Sequence, residues 1–146
     1  MQFKIREVHP FRGSLKATGV LNQLVILHSG TFPYDDPVIP KEGRWWVARG
    51  YGDIVGFAGM VEETDSPGTW MLYRAGVLPG ARGHGLQRAL IRVRLAAAKR
   101  AGGTVAVSST YFNNISANNL IREGFELYTP GHPWGAKGTL YWRKQL

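Results

Sequence analysis

The residues best placed to do chemistry lie in a glycine-rich turn between a strand and a helix. The segment from Tyr73 to Gly103 reads as a strand up to Leu78, a turn containing Arg82-Gly83-His84-Gly85, and a long helix. Backbone N–H groups at such a helix start are unpaired, and the helix dipole favours negative charge there. Glycines lack a Cβ and let the backbone approach a phosphate closely. We therefore predict an anion site at residues 82–87, with a plain turn as the alternative.

This turn differs from the two common nucleotide-binding loops. The dinucleotide order G-x-G-x-x-G is absent, and no Gly-Lys-Ser/Thr follows as it does in a Walker A loop. A different phosphate-bearing ligand is therefore expected.

Two motifs resemble those of the GNAT superfamily of N-acetyltransferases. Arg82-x-x-Gly85-x-Gln87 resembles the family's acyl-CoA signature, R/Q-x-x-G-x-G/A. Asn113-x-x-Ser116, followed by Gly124-Phe125, resembles the next family motif at the usual distance. Two motifs in order are more specific than either alone. The resemblance, which covers residues 50 to 130 well, implies acetyl-CoA as cofactor and acetyl transfer to an amine.

The resemblance also assigns the cofactor contacts. The diphosphate would lie on the turn, at Arg82, Gly83, His84, Gly85, Leu86 and Gln87. The acetyl carbonyl would lie near the Val77 N–H group, and the pantetheine arm beside Asn113 and Ser116. Gln87 departs from the family's Gly or Ala, so its side chain would crowd the diphosphate unless it points away along the helix.

The proton donor is the weakest part of the resemblance. Family members often use a tyrosine in the helix before Gly-Phe, but the matching residue here is Leu120. Tyr73 lies four residues before Val77 and so shares its strand face. Tyr111 follows the strand at residues 104–109. We consider both tyrosines as candidate acids, with core packing or a place at the rim as the alternative.

The acceptor amine is expected to meet the loop at residues 29–43 and the early strands. Carboxylates would attract a cationic amine, and aromatic rings would enclose it. The candidates are Tyr34, Asp35, Trp46 and Glu62. Three of them have a structural alternative: Asp35, with Asp36, as a turn former, Glu62 as a solvated hairpin residue, and Trp46 as core, since at least one of the adjacent tryptophans is expected there.

Composition bounds the remaining possibilities. A chain of 146 residues with 44% hydrophobic residues is expected to form one domain, residues 1–146, with a real core. The absence of cysteine excludes disulfides, thiolate metal sites and a cysteine acyl-enzyme, and we predict no metal site. No apolar run is long enough to span a membrane, and the N-terminus lacks a secretory signal. A cytoplasmic location without membrane partners is the expectation.

Charge is distributed unevenly along the chain. Residues 1–69 hold 7 Lys/Arg and 8 Asp/Glu, whereas residues 70–146 hold 11 Lys/Arg and 2 Asp/Glu. The basic half carries the glycine turn, which suits a polyanion such as coenzyme A, although a solvated helix face is the alternative for most of these charges. Nucleic acid would also suit it, but no nucleic-acid-reading motif is present.

Several functions therefore remain open beside a small-molecule or peptide N-acetyltransferase. An acyltransferase acting on a protein or nucleic-acid amine would use the same motifs. A non-catalytic acyl-CoA sensor would explain Leu120. A homodimer is possible, because Trp134, Tyr141 and Trp142 would serve either an interface or the core.

The elements that must position these residues follow the order β-α-β-β-β-α-β-α-β-β. Strands are predicted at residues 2–8, 45–49, 54–61, 70–78, 104–109, 125–129 and 139–143. Helices are predicted from an N-cap at Ser14 to Gly30, from the glycine turn to Gly102-Gly103, and over residues 113–123. The helical crossover between residues 70–78 and 104–109 implies a parallel pair, and the short turns imply antiparallel pairs. The fold class is α/β (α+β), a GNAT-like mixed sheet of about seven strands flanked by helices.

Overall fold

The computed structural model describes residues 2–32 and 42–146, and its elements follow the predicted order. The strands are β1 (Phe3–Val8), β2 (Arg44–Gly50), β3 (Asp53–Glu62), β4 (Thr69–Val77), β5 (Val105–Tyr111), β6 (Glu126–Leu127) and β7 (Thr139–Gln145). The helices are α1 (Leu15–Thr31), α2 (Leu86–Arg100) and α3 (Asn114–Arg122). The substrate candidates Tyr34 and Asp35 lie outside the described residues.

One mixed sheet organises the molecule. Its strand order is β1-β2-β3-β4-β5-β7-β6. The β4–β5 pair is parallel, whereas the other neighbouring strands pair antiparallel. The predicted mixed sheet and its parallel pair are therefore confirmed, and α2 is the crossover that makes the parallel pair possible.

The sheet carries a hydrophobic core on each face. Trp45 and Trp46 are adjacent in β2 and point to opposite faces, as the period of two requires. Trp45 packs with Leu24 and Leu27 of α1, and Trp46 packs with Leu90 of α2. The two rings are 0% and 5% exposed, so both are core residues.

The helix starts follow the sequence closely, and most element bounds differ from the predicted ones by one or two residues. The Ser14 hydroxyl accepts a hydrogen bond from the Ala17 N–H group at 3.0 Å, which confirms the predicted cap. Helix α1 continues past Gly30 to Thr31, since one glycine costs only about 1 kcal/mol. Strand β6 covers only Glu126–Leu127 of the predicted 125–129. The Phe125 N–H group bonds to the Leu120 carbonyl at the end of α3 instead of joining the sheet. No helix in the described residues has the length and apolar content that a membrane crossing requires.

Strand β4 has a bulge on the side of β3, just beyond the point where its pairing with β5 ends. Ala58 pairs with Ala75, but Gly59 pairs with Tyr73, so Arg74 is the extra residue, with a φ of 34°. The parallel pairing between β4 and β5 ends at Met71 and Val107. Beyond this point, residues 72–77 of β4 and residues 108–111 of β5 diverge. We call this opening the fork.

Candidate active site

The fork opens into a cavity of about 780 Å³. The described lining comes from β4, β5, the inner faces of α2 and α3, and the segment before β7. It includes Tyr73, Arg74, Gln87, Ile91, Arg94, Ser109, Tyr111, Ser116, Leu120 and Trp134. The fork cavity is therefore built from residues that are far apart in sequence.

A second cavity of about 620 Å³ surrounds the glycine turn and adjoins the first. The two cavities share lining residues, among them Ala75, Arg82, Gln87, Asn113 and Ser116. Eight of the nine predicted cofactor residues line the turn cavity: Val77, Arg82, Gly83, Gly85, Leu86, Gln87, Asn113 and Ser116. Together the two cavities form one channel that runs from the turn into the fork.

His84 is the predicted cofactor residue that does not line either cavity. Its Nδ1 atom lies 3.2 Å from the Ala81 carbonyl oxygen, and its ring packs edge-on against Phe3 at 5.3 Å. Its side chain is therefore held against β1, and any contact it makes with a ligand in the turn is through its backbone.

The turn presents unpaired N–H groups next to open space. Gly83 and Gly85 have φ angles of 81° and 75°, in the left-handed region that favours glycine. The Ala89 N–H group bonds to the Gly85 carbonyl at 3.0 Å. The N–H groups of residues 86–88 precede that bond, so they have no helical carbonyl to pair with. A Cβ placed on either glycine would meet no described atom within 4 Å, so the approach is open.

Gln87 points away from the turn, as its departure from the family pattern requires. Its amide nitrogen donates to the Ser116 hydroxyl at 2.9 Å, and its amide oxygen accepts from the Asn119 side chain at 2.9 Å. The side chain therefore bridges α2 and α3. It leaves the backbone at residues 86–88 uncovered.

The side chains of Arg82 and Asn113 form hydrogen bonds to the backbone of segments that line the channel. The Arg82 Nε atom donates to the Val77 carbonyl at 3.1 Å, at the end of β4. The Asn113 side chain accepts from the Ser116 N–H group at 3.0 Å and so caps α3. These contacts hold in place the chain segments that line the channel.

An ion-pair cluster also joins α2 to α3. Glu123 accepts hydrogen bonds from Arg88 at 2.8 Å and from Arg92 at 3.0 Å. Burial alone would raise the pKa of Glu123, but the hydrogen bonds from Arg92 and Arg88 outweigh it and hold the pKa below its usual value. The cluster therefore strengthens the contact between the two helices that enclose the channel.

The two candidate acids both line the fork cavity but differ in exposure. Tyr73 is half-buried, with its ring edge-on to Trp45 at 6.1 Å. Tyr111 is 56% exposed and packs against Phe112 at 4.7 Å. Leu120 lines the same cavity and is 5% exposed. The apolar side chain thus stands in the cavity wall, between the channel and the core.

Two substrate candidates are placed away from the channel. Trp46 is buried in the core and contacts the Arg44 guanidinium at 5.4 Å. Glu62 accepts a hydrogen bond from the Gly68 N–H group at 3.1 Å across the hairpin turn. Neither residue lines either cavity. The expectation that they contact the substrate is corrected accordingly, because one is enclosed by packing and the other stabilises a turn.

Sequence reasoning missed Arg94, which lines the fork cavity and is 3% exposed. Its Nε atom donates to the Leu90 carbonyl and its Nη1 atom to the Gly59 carbonyl, both at 3.0 Å. Burial lowers its pKa to about 9, because desolvation disfavours the charged guanidinium. A signal was available, since Arg94 falls four residues after Leu90 on the apolar stripe of α2.

Comparison with known proteins agrees with this geometry. The sequence model described as "Acetyltransferase (GNAT) family" matches residues 23–125. This chain belongs to the GNAT acetyltransferase family. The match includes both motifs and the strands that form the fork. No curated protein sequence matches the chain.

Solved structures share the fold over nearly the whole chain. A GNAT-family protein from Desulfovibrio desulfuricans has a TM-score of 0.76 at 18% identity, covering 99% of both chains. A Bacillus subtilis acetyltransferase in complex with CoA has a TM-score of 0.73 at 15% identity, again covering 99% of both. A ribosomal-protein-alanine N-acetyltransferase from Brucella melitensis has a TM-score of 0.71 at 19% identity, covering 98% of this chain and 99% of that one. These similarities confirm the GNAT fold.

Proposed function

We propose that this GNAT protein transfers an acetyl group from acetyl-CoA to a primary amine of a small molecule or peptide. The observation that carries the proposal is the continuous channel from the glycine turn into the fork. It offers unpaired N–H groups for a diphosphate at one end and a polar, aromatic chamber at the other. The Bacillus subtilis relative in complex with CoA supports the cofactor, and the Brucella melitensis relative, by its description, supports a peptide amine as one acceptor class.

The cofactor would enter with its diphosphate at the turn. The N–H groups of residues 86–88 and the dipole of α2 would bind the phosphate oxygens. The pantetheine arm would then extend past Asn113 and Ser116 into the fork. There β4 has lost its parallel partner, so its edge is free to pair with an extended chain. Val77 was predicted to contact the acetyl carbonyl, but it lines the turn cavity and is not among the described residues that line the fork cavity. A thioester in the fork would therefore leave Val77 beside the pantetheine arm.

The acetyl group would pass directly to the amine within a ternary complex. The chain has no cysteine to form a thioester intermediate of its own. A neutral amine would attack the acetyl carbon, and the bond to sulfur would break. Holding both reactants in the fork would supply much of the acceleration, about 7–11 kcal/mol at best. Tyr73 and Tyr111, which both line the cavity, would be the candidates to protonate the sulfur.

A second candidate function is an acyl-CoA sensor without turnover. It is favoured by one observation, namely that Leu120 presents an apolar side chain where the family often has its acid. Such a protein would bind acetyl-CoA through the same turn. It would not consume acetyl-CoA with any amine.

The decisive experiment is thermal denaturation with acetyl-CoA, with free adenosine as the control. A ligand at about 100 times its dissociation constant stabilises a protein by about 2.7 kcal/mol. Stabilisation by acetyl-CoA but not by adenosine is the expected result. An amine panel with detection of the released thiol then follows, and turnover separates an enzyme from a sensor. If acetyl-CoA gives no stabilisation, both functions are contradicted.

A further inference from the structure

Among the residues that the structure describes, one buried arginine faces the fork without an acidic partner. Arg94 uses its Nε and Nη1 atoms on two backbone carbonyls, and its Nη2 atom bonds to no protein atom within residues 2–32 and 42–146. The described lining of the fork cavity contains Arg74, Arg82 and Arg94 but no Asp or Glu. Burying a charge without a counter-charge is costly. An arginine in this position therefore indicates an anion that arrives with a ligand.

The position of Arg94 along α2 indicates which part of the ligand it meets. Gln87, Ile91 and Arg94 are spaced by four and three residues, so they lie on one face of α2, and all three line the fork cavity. Arg94 lies about 10 Å beyond Gln87 along the helix axis. A ligand whose diphosphate sits at the turn would thus bring its other end towards Arg94. In an acyl-CoA, that end is the thioester.

We propose that Arg94 is a catalytic residue that stabilises the coenzyme A thiolate as it leaves. The inference rests on the proposed function and assigns to Arg94 part of the task that the family's tyrosine performs at the position of Leu120. The amine nitrogen forms a bond to the acetyl carbon, the carbon–sulfur bond breaks, and its electron pair goes to sulfur. The proton of the amine passes to water. Arg94 keeps its protons and its charge throughout.

The surroundings of the fork favour this role. Within residues 2–32 and 42–146, the titratable groups that face the cavity are Tyr73 and Arg74 of β4, Tyr111 of β5, Arg82 before α2, and Arg94 itself. This part of the lining therefore contains no carboxylate. Burial lowers the pKa of Arg94 to about 9, which still leaves it charged at neutral pH. A thiolate beside the Arg94 guanidinium would replace the favourable interaction with water that the charge loses on burial.

Arg94 also has a structural role, and the test must separate the two. Its bond to the Gly59 carbonyl lies at the bulge of β4, where the ladder register shifts. Loss of this bond alone would disturb the fork whatever the charge does. A readout specific to the thiolate is therefore needed.

The experiment measures the pKa of the thiol of coenzyme A bound to the full chain, from the ultraviolet absorbance of the thiolate. We expect the bound thiol to be at least about tenfold more acidic than free coenzyme A in the native protein. Arg94→Met should abolish that shift and lower kcat about 10²–10³-fold. Arg94→Lys retains the positive charge but not the planar guanidinium group, and should retain most of the shift in the thiol pKa. Arg100→Met, which removes an exposed arginine from the same helix, is the matched control and should leave the thiol pKa unchanged.

The outcomes separate this inference from the proposed function. If coenzyme A binds and its thiol pKa is the same in the native protein and in Arg94→Met, the inference is overturned while the proposed function stands. If coenzyme A does not bind the native protein, the proposed function fails first. Should Arg94→Met fail to fold, an unshifted thiol in the native protein or in Arg94→Lys overturns the inference on its own.

Discussion

The two ends of the channel are built in opposite ways. The glycine turn is one continuous stretch that faces open space and offers mainly backbone N–H groups. The described lining of the fork is made largely of side chains, which come mainly from β4, β5, α2 and α3. Binding of a phosphate needs only a local backbone conformation, whereas acyl transfer needs side chains brought together by the whole fold. Relatives at 15–19% identity share this scaffold, while the polar groups in this fork include Arg94 and lack a tyrosine at position 120.

The largest expected effect is at the glycine turn, where one added negative charge should prevent phosphate from binding to the backbone N–H groups. Gly85→Asp places a carboxylate beside the phosphates, and like charges in such proximity cost several kcal/mol. We expect the affinity for acetyl-CoA, measured by calorimetry, to fall about 100-fold, which corresponds to about 2.7 kcal/mol. The fold should survive, because no described atom lies within 4 Å of the added Cβ.

Gly85→Asn is the matched control for this charge. Asn has the same shape as Asp and is similarly tolerated in the left-handed region that Gly85 occupies at a φ of 75°. It should lose only a small part of the affinity. Equal losses in the two variants would show that shape rather than charge decides binding, and would place the phosphates elsewhere.

The local structure at the turn end of the channel, a glycine turn followed by the start of α2, could be predicted from the sequence. The left-handed glycines, the start of α2 and the cap at Asn113 are each set by a few consecutive residues. The order of the elements along the chain and the parallel pair also followed from local patterns and connection lengths. The bulge at Arg74 was not predicted, because it depends on how β3 and β4 align.

The second prediction asks which tyrosine acts at the fork end. Tyr73→Phe removes the hydroxyl of the more buried candidate, and we expect kcat to fall about 10²-fold, the lower end for a general acid. Tyr111→Phe should change kcat by less than about threefold, because that ring is 56% exposed. Steady-state rates with thiol detection give both values. If neither rate falls, water protonates the thiolate that Arg94 holds.

The fork also shows where sequence reasoning stops. Arginine is usually found on the exposed face of a helix, but Arg94 occupies a position on the apolar stripe of α2. The structure shows that it is buried. Trp46 has the residue type of a binding site but lies in the core, since alternate residues of a covered strand face opposite cores. Residue type alone does not decide between these cases, because burial depends on the elements packed on each side.

A third prediction concerns the point where the two ends meet. Gln87→Ala removes the bridge to Ser116 and Asn119, and should lower the free energy of unfolding by about 1–2 kcal/mol. Because the side chain points away from the turn, we expect the affinity for acetyl-CoA to change by less than about threefold. Chemical denaturation and calorimetry measure the two quantities. A large loss of affinity with unchanged stability would mean that Gln87 contacts the cofactor directly.

The smallest expected effect is at Glu123. It tests whether the ion pairs between the two helices that line the channel make the stability of the protein depend on pH. Its pKa lies below the usual 4.5 in the folded protein, so its contribution to stability is fully present above pH 4.5 and is lost as the pH falls through the lowered pKa. Glu123→Gln should therefore lower the free energy of unfolding by about 1 kcal/mol at pH 7 and by less at acid pH. Denaturant titrations at several pH values measure this difference.

Glu7→Gln provides the comparison for that measurement. Glu7 also has a lowered pKa, mainly through its hydrogen bond from Arg44, but it joins β1 to β2 rather than the channel helices. Both variants should lose their stability difference from the native protein at acid pH. Glu123→Gln alone should also weaken acetyl-CoA binding, because residues of α2 and α3 line the channel. Equal affinities in the two variants would show that the ion pairs of Glu123 stabilise the fold without shaping the channel.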